Sequence, residues 1–415
     1  MAGNRKIVKS DSGRRIRIEG LIRAGGQGEA YWATDTNSGQ KGVLKLFHTR
    51  FANNDTVKRL KFLIDQDLAT ACRVLCAPTD LIVKGSMVGH YTPLAPGQSL
   101  EDFLVNPSIN FVESLQLAIT LAVALSVMHK RQIAHGDLHA DNLIINRVGS
   151  VIELYVIDLD NFNAPGLPGP PMVGQNLYLA PELRESLANK RPAVPDIFTD
   201  RFSLGVLMHE ITLMRHVAAG ADESEVEFQK AMCSGRWLQD PAASDRLAGN
   251  QGGYPVEVLN ADLARLFRCA LSLNPAERPA PDTWQVQLAS AFESVYCCPN
   301  CGCPCVVDVS KTACPLCRRP FPHLNLHISS IGRSISLMDG ATVVGRVEVG
   351  GSMKTSSRHA IFRRIGPETW IEPRGTNGTY RWNGSGWTKL PDRRPLLVQN
   401  GDRLRFADVE AQLIC

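Results

Sequence analysis

The stretch "IAHGDLHADNLII" (133–145) sets two histidines beside Asp137, Asp141 and Asn142 between apolar flanks. A carboxylate able to take a proton and an amide oxygen able to hold a hard cation five residues on suit phosphoryl transfer. Alone, the same residues would also serve as a polar turn between buried elements. Sixteen residues after Asn142, "LYVIDLDNF" delivers Asp158 to the end of an apolar run, offering a second oxygen ligand for magnesium. Upstream, "LIRAGGQGEAYWA" (21–33) places Gly25, Gly26 and Gly28 where backbone amides could approach phosphates. Seventeen residues after Gly28, Lys45 sits inside the apolar stretch "GVLKLF", a poor packing choice but a good phosphate anchor.

Two other groups of residues offer chemistry. Seven of the twelve cysteines fall within 297–317. "CPNCG" and "CPLCR" place Cys298, Cys301, Cys314 and Cys317 as two knuckles, the spacing of a closed, structural four-thiolate zinc site. Cys297, Cys303 and Cys305 remain as spares, and a shifted pairing through Cys303 or Cys305 stays open. A ribbon this small has little core, so the metal would supply its folding energy. Further on, "VVGRVEV", "SSRHAIF" and "GTNGTYRWNG" follow in order. Arg346 can fork onto a phosphate, Ser356 can add a hydroxyl and Asn377 can fix a peptide backbone.

The elements that must position these residues follow from periodicity. Residues 16–50 alternate apolar and polar positions around the glycine cluster, predicting strands and a turn, while 112–130, 200–215 and 260–273 carry helical periodicity. After the cysteines, short runs separated by Gly, Asn, Pro and Asp predict an all-β unit. At 415 residues, two or three domains are expected. Composition, 44% hydrophobic and 21% charged, is that of a globular chain. The longest apolar run, 115–128, is interrupted by Gln116, Thr120 and Ser126 and falls short of the roughly 20 residues of a bilayer span. A buried helix is therefore expected, with no membrane partner. The basic first twenty residues lack the apolar core of a secretory signal, which points to the cytoplasm. Net charge is +4 overall, yet 324–415 carry 13 Lys and Arg against 8 Asp and Glu, which suits a phosphorylated partner. No feature reads as a nucleic-acid interface.

Taken in order, these motifs over residues 16–292 resemble the eukaryotic-type protein kinase family. The resemblance implies a bilobal fold with ATP and Mg2+ under the Gly25–Gly28 loop. Lys45 would hold the α- and β-phosphates, Asp137 would be the catalytic-loop aspartate, and Asn142 and Asp158 would be metal ligands. "LAPEL" and "NPAERP" supply Glu182 and Arg278, which the family pairs. Small-molecule kinases share "HGDLHxxN" but usually lack that segment, so protein Ser/Thr substrates are favoured. Several positions depart from the pattern. Arg23 stands at the usual first glycine, Gly136 replaces an arginine, and His139 replaces a lysine. "DLD" replaces Asp-Phe-Gly, with Asp160 read as solvated or as an extra metal ligand. The helix expected near 56–70 has no glutamate for Lys45, leaving only Asp65 or Asp67. From Leu159 to Glu185 there is no Ser or Thr. A pseudokinase scaffold acting through phosphopeptide binding, or a small-molecule kinase, are the alternative readings.

Residues 325–415 similarly resemble the forkhead-associated (FHA) domain, with Gly345, His359 and Gly378 as framework positions. That resemblance implies phosphothreonine binding by Arg346, Ser356, Asn377 and Thr379. The expected architecture is thus a multi-domain α+β chain. It comprises a tail (1–15), a kinase domain (16–292), a four-cysteine zinc ribbon (293–323) serving as a joint, and an all-β FHA sandwich (324–415).

Overall fold

The computed structural model describes residues 6–170, 174–221, 224–247, 252–308, 311–321, 323–337 and 340–415. The chain divides into two compact units, 1–256 with 262–292 and 257–261 with 293–415.

The first unit begins with six antiparallel strands: β1 (Ile7–Lys9), β2 (Arg15–Ala24), β3 (Gly28–Asp35), β4 (Lys41–Phe47), β5 (Asp80–Lys84) and β6 (Met87–Pro93). Their order is β1-β2-β3-β4-β6-β5. Alternation turns Val8, Ile16, Ala33, Leu44, Ile82 and Tyr91 into one buried layer. Helix α1 (Asn54–Asp65) is capped by Asn53, whose Oδ1 accepts from Thr56 N–H at 3.0 Å. Its Leu60 packs with Leu81 and Val88 on the sheet's other face.

The helical part is centred on Phe111–Lys130, started by a reciprocal capping box between Asn110 and Glu113. This helix has the length and mean hydropathy (1.8) of a membrane span, but most of it is buried within the fold. The helix Ile197–Leu213 lies beside it, with Asp196 capping its start. Between the first of these helices and the strand Leu143–Val148 runs the segment 131–142, which carries Asp137 and Asn142. The strand Val151–Val156 pairs with Leu143–Val148 and leads directly to Asp158.

The second unit starts with a hairpin, Val295–Cys297 against Pro304–Val306, bearing the cysteine knuckles. A β-sandwich follows, one sheet of six strands and one of four. Leu326, Phe362, Ile371, Leu404, Phe406 and Leu413 are shared in its core. The ribbon is tied to the sandwich: Arg364 donates to Phe321 O at 2.7 Å, and Val307 lies so close over Gly366 that a Cβ there would sit 2.6 Å from it.

Candidate functional site

Gly28 opens β3 with its backbone pressed against β4; a Cβ would fall 2.2 Å from Leu46 O. Only glycine fits there, which makes that position a packing requirement of the hairpin. The loop is pinned from outside by His48 Nε2, 2.9 Å from Gly25 O, and by Arg50, donating to Gly26 O at 2.8 Å. Lys45 projects from β4, and its Nζ lies 3.1 Å from Asp158 Oδ1 and 2.8 Å from Asp160 Oδ2.

The segment 131–142 is held by Asp200 at the start of the helix Ile197–Leu213. Its carboxylate accepts from His135 N–H (2.6 Å), Gly136 N–H (3.1 Å) and His129 Nε2 (3.1 Å). Gly136 has φ +77°, and a Cβ would meet Asn161 O at 2.6 Å, so no larger residue suits this turn. Asn142 Nδ2 donates to Asp137 O at 2.8 Å and reaches His139 Nε2 at 2.9 Å, leaving Oδ1 as the free oxygen donor. His139 lies 3.5 Å from Asp137 Oδ1, but burial pushes its pKa down, which disfavours the charged imidazolium. Asn161 Nδ2 donates to Asp137 Oδ2 (3.1 Å) and its Oδ1 accepts from Gln27 Nε2 (2.7 Å). A run of side-chain contacts therefore leads from the glycine loop to Asp137.

The charges in the cleft are coupled. Burial works against an ionised Lys45, yet Asp160 and Asp158 more than offset it and raise its pKa. Burial opposes the Asp160 carboxylate too, but Lys45 and then His90, 3.7 Å away, hold it well below the usual carboxylate range. Asp158 is pushed up to about 6 by burial and by Asp160. Hard oxygen donors at Asp158 and Asn142, one of them destabilised as a bare anion, fit a magnesium ion.

Further along, Arg278 is fully buried and grips Glu182 with two hydrogen bonds of 2.7 and 2.8 Å. Tyr178 donates to Glu210 Oε2 at 2.9 Å, and burial lifts Glu210 to about 8.

In the second unit, the thiols of Cys298, Cys301, Cys314 and Cys317 lie within 4.8 Å of one another. Cys298 to Cys317 is 3.7 Å and Cys301 to Cys314 is 3.6 Å. Tetrahedral thiolates about 2.3 Å from zinc would be about 3.8 Å apart, so the geometry fits zinc and is far too open for disulfides. Both knuckles turn through the left-handed region just after the second cysteine, at Gly302 (φ +70°) and Arg318 (φ +61°). The Arg319 backbone N–H, then the Asn300 side chain, pull Cys317 down to about 6. Cys303 and Cys305 are buried outside the quartet.

On the sandwich, Arg346 Nε donates to Thr355 O at 3.1 Å, Ser356 Oγ lies 3.1 Å from Thr376 Oγ1, and Asn377 Nδ2 donates to Lys354 O at 2.7 Å. Beneath them His359 is fully buried; its Nδ1 accepts from Ser356 N–H and its Nε2 donates to Gly378 O.

The protein kinase domain family matches residues 17–289, about two thirds of the chain. The chain belongs to the protein kinase family. The FHA domain family matches residues 330–407. Similar proteins include the probable serine/threonine-protein kinase PknB of Bifidobacterium longum, 23% identical over 52% of this chain and 33% of that protein. The serine/threonine-protein kinase PknD of Chlamydia felis is 25% identical over 53% of this chain and 26% of its own. The serine/threonine-protein kinase ppk25 of Schizosaccharomyces pombe is 26% identical over 63% and 56%. The chain thus spans about a third or less of the first two of these relatives.

Against this family background, three expectations need correction. Asp160 is not solvated, because its side chain is 1% exposed and lies against Lys45. Asp65 and Asp67 are exposed and do not take the lysine; the buried cation-bearing stripe of α1 holds Arg59 instead. Thr379 is fully buried on the strand Thr379–Trp382, so its hydroxyl cannot meet a peptide, whereas Thr376 is exposed beside Ser356. Gln27, Arg59, His90, Asn161 and Thr376 were not singled out from sequence. Only Arg59 left a signal there, as a cation in the apolar stripe of a helix.

Proposed function

We propose that the chain is an ATP-dependent protein Ser/Thr kinase carrying its own phosphothreonine reader. Residues 16–292 are taken as catalytic, 293–323 as ribbon and 324–415 as reader. The observation that carries the reading is the convergence of Lys45, Asp158, Asn142 and Asp137 on one cleft, closed by the glycine loop. Lys45 would bind the α- and β-phosphates of ATP, and Asn142 and Asp158 would hold magnesium, which supplies neutralisation of phosphate charge when bound. Asp137 would accept the proton of a Ser or Thr hydroxyl as its oxygen bonds to the γ-phosphorus. The bond from that phosphorus to the β,γ-bridging oxygen breaks, and ADP leaves with the electron pair. Asn161 keeps the Asp137 carboxylate turned toward the cleft. The Glu182–Arg278 pair shapes the segment on which a protein substrate would lie. Twelve free cysteines, four of them fit for zinc, suit the reducing cytoplasm, and a bacterial-type signalling role is proposed from the likeness to bacterial kinases.

The test is transfer of γ-phosphate from Mg–ATP, comparing wild type with Asp137→Asn, followed by phosphosite mapping. Phosphoserine or phosphothreonine formed by wild type alone is expected. One observation favours a second reading: the buried face of α1 carries Arg59, Leu60 and Leu63 and no acid for Lys45. A scaffold that binds nucleotide and acts through phosphopeptide binding would show retained ATP binding with no transfer.

A further inference from the structure

We infer that Asp160 takes over the task of anchoring Lys45 that an acid on helix α1 would otherwise perform, so that the phosphate anchor is assembled by the metal-binding segment itself. This rests on the kinase reading above. The cation needs a carboxylate partner to keep a long, flexible side chain directed at phosphates. Here α1 has no acid on its inward face: its buried residues are Arg59, Leu60 and Leu63. Asp160 lies two residues beyond Asp158, and its two oxygens stand 3.0 and 2.8 Å from Lys45 Nζ.

The inversion is completed by Arg59. It is 4% exposed, stacks 4.7 Å over the Phe162 ring, and donates to the carbonyls of Asp160 (3.1 Å), Phe162 and Pro168 (2.8 Å). The helix therefore presents a cation to the backbone of the segment that presents an anion to the lysine. Were Asp158 to hold a metal, Asp160 would still be there as the buried partner of Lys45; its side chain is 1% exposed against 29% for Asp158. Asp160 is a positioning residue acting through Lys45. The acid that holds Lys45 is thus not a residue of α1, although α1 is tied through Arg59 to the segment that carries it.

The test measures ATP affinity of the full chain by calorimetry with and without Mg2+, together with kcat and KM for ATP. Asp160→Asn, Asp65→Asn, Asp67→Asn, Lys45→Ala and the Lys45→Ala/Asp160→Asn pair are compared. Loss of one charge-assisted contact predicts roughly ten- to a hundredfold weaker metal-free binding in Asp160→Asn. No further loss is expected in the Lys45→Ala background, nor any change in Asp65→Asn or Asp67→Asn. Unchanged metal-free affinity in Asp160→Asn overturns the inference, as does a loss seen only with Mg2+, which would make Asp160 a metal ligand. Should Asp160→Asn fail to melt cooperatively, Asp160→Glu takes its place. It keeps the charge and is expected to bind ATP better than Lys45→Ala; equal loss overturns the inference. Wild type binding no ATP sinks the kinase reading and the inference with it. Wild type transferring phosphate with no Asp160 dependence sinks the inference alone.

Discussion

At the scale of single residues, the environment of Glu210 makes stability depend on pH. Its carboxyl is buried, receives one hydrogen bond from Tyr178, and is lifted from 4.5 to about 8. The folded state therefore favours the protonated acid relative to the unfolded chain. Its contribution is fully present below about pH 4.5 and is lost as pH rises toward about 8, because folding must then hold the proton or bury a charge. Glu210→Gln removes the titration and keeps an amide in the same space. Melting temperatures at pH 5, 6.5 and 8 are expected to fall more steeply with pH in wild type than in the variant, with the variant gaining by a few kcal/mol at most at pH 8. Parallel slopes would mean that Glu210 meets water or another partner. The same balance governs the cleft, where two carboxylates outweigh the burial of Lys45 and raise its pKa.

At the scale of elements, the ribbon gives the sharpest prediction. Its hairpin strands are three residues each, and its two knuckles are held by short backbone turns around the four thiols. Such an element has too few buried contacts to fold alone, so metal and sandwich must share the work. One zinc per chain is expected by elemental analysis, falling to none in Cys314→Ser, with a lower melting temperature for the variant or after chelation. Retained zinc in Cys314→Ser would favour a set using Cys303 or Cys305. This quartet was legible in the sequence because metal spacing is local. Lys45, Asp137, Asn142 and Asp158 could be singled out as candidates there too, each an acid, amide or cation beside apolar residues, and the structure places them around one cleft. The partners of those residues were not legible. Asp160 looks like a surface acid until the strand Val151–Val156 and β4 are brought together, 113 residues apart at Lys45–Asp158. Thr379 failed for the opposite reason: a one-residue step in a strand reverses its face, and the strand starting at Thr379 turns that side chain inward.

At the scale of the whole molecule, one chain combines residues suited to making phosphothreonine with residues suited to reading it. On the proposed reading, such a kinase would be able to dock on its own product. Three threonines near the glycine-loop strands differ in their availability. Thr34 is buried and donates to Glu19, and Thr56 is half-buried with its hydroxyl on Phe51 O. Thr49 alone of the three is exposed, in the turn after β4 between His48 and Arg50. Phosphosite mapping after incubation with Mg–ATP is expected to place phosphate on Thr49 ahead of Thr34 or Thr56. A peptide spanning the mapped site should then bind the full chain only when phosphorylated. Arg346→Ala, which removes the guanidinium beside Ser356, should weaken that binding by roughly ten- to a hundredfold. ATP affinity, which the proposed function assigns to Lys45 and its acids, should stay as it was. Fluorescence polarisation with phosphorylated and bare peptide reads the first effect, and calorimetry with ATP reads the second. Equal binding of the two peptides would remove phosphothreonine recognition from the account of this chain. Binding that is phosphate-dependent yet indifferent to Arg346 would move the site elsewhere on the sandwich, away from the Ser356–Thr376 contact that now marks it.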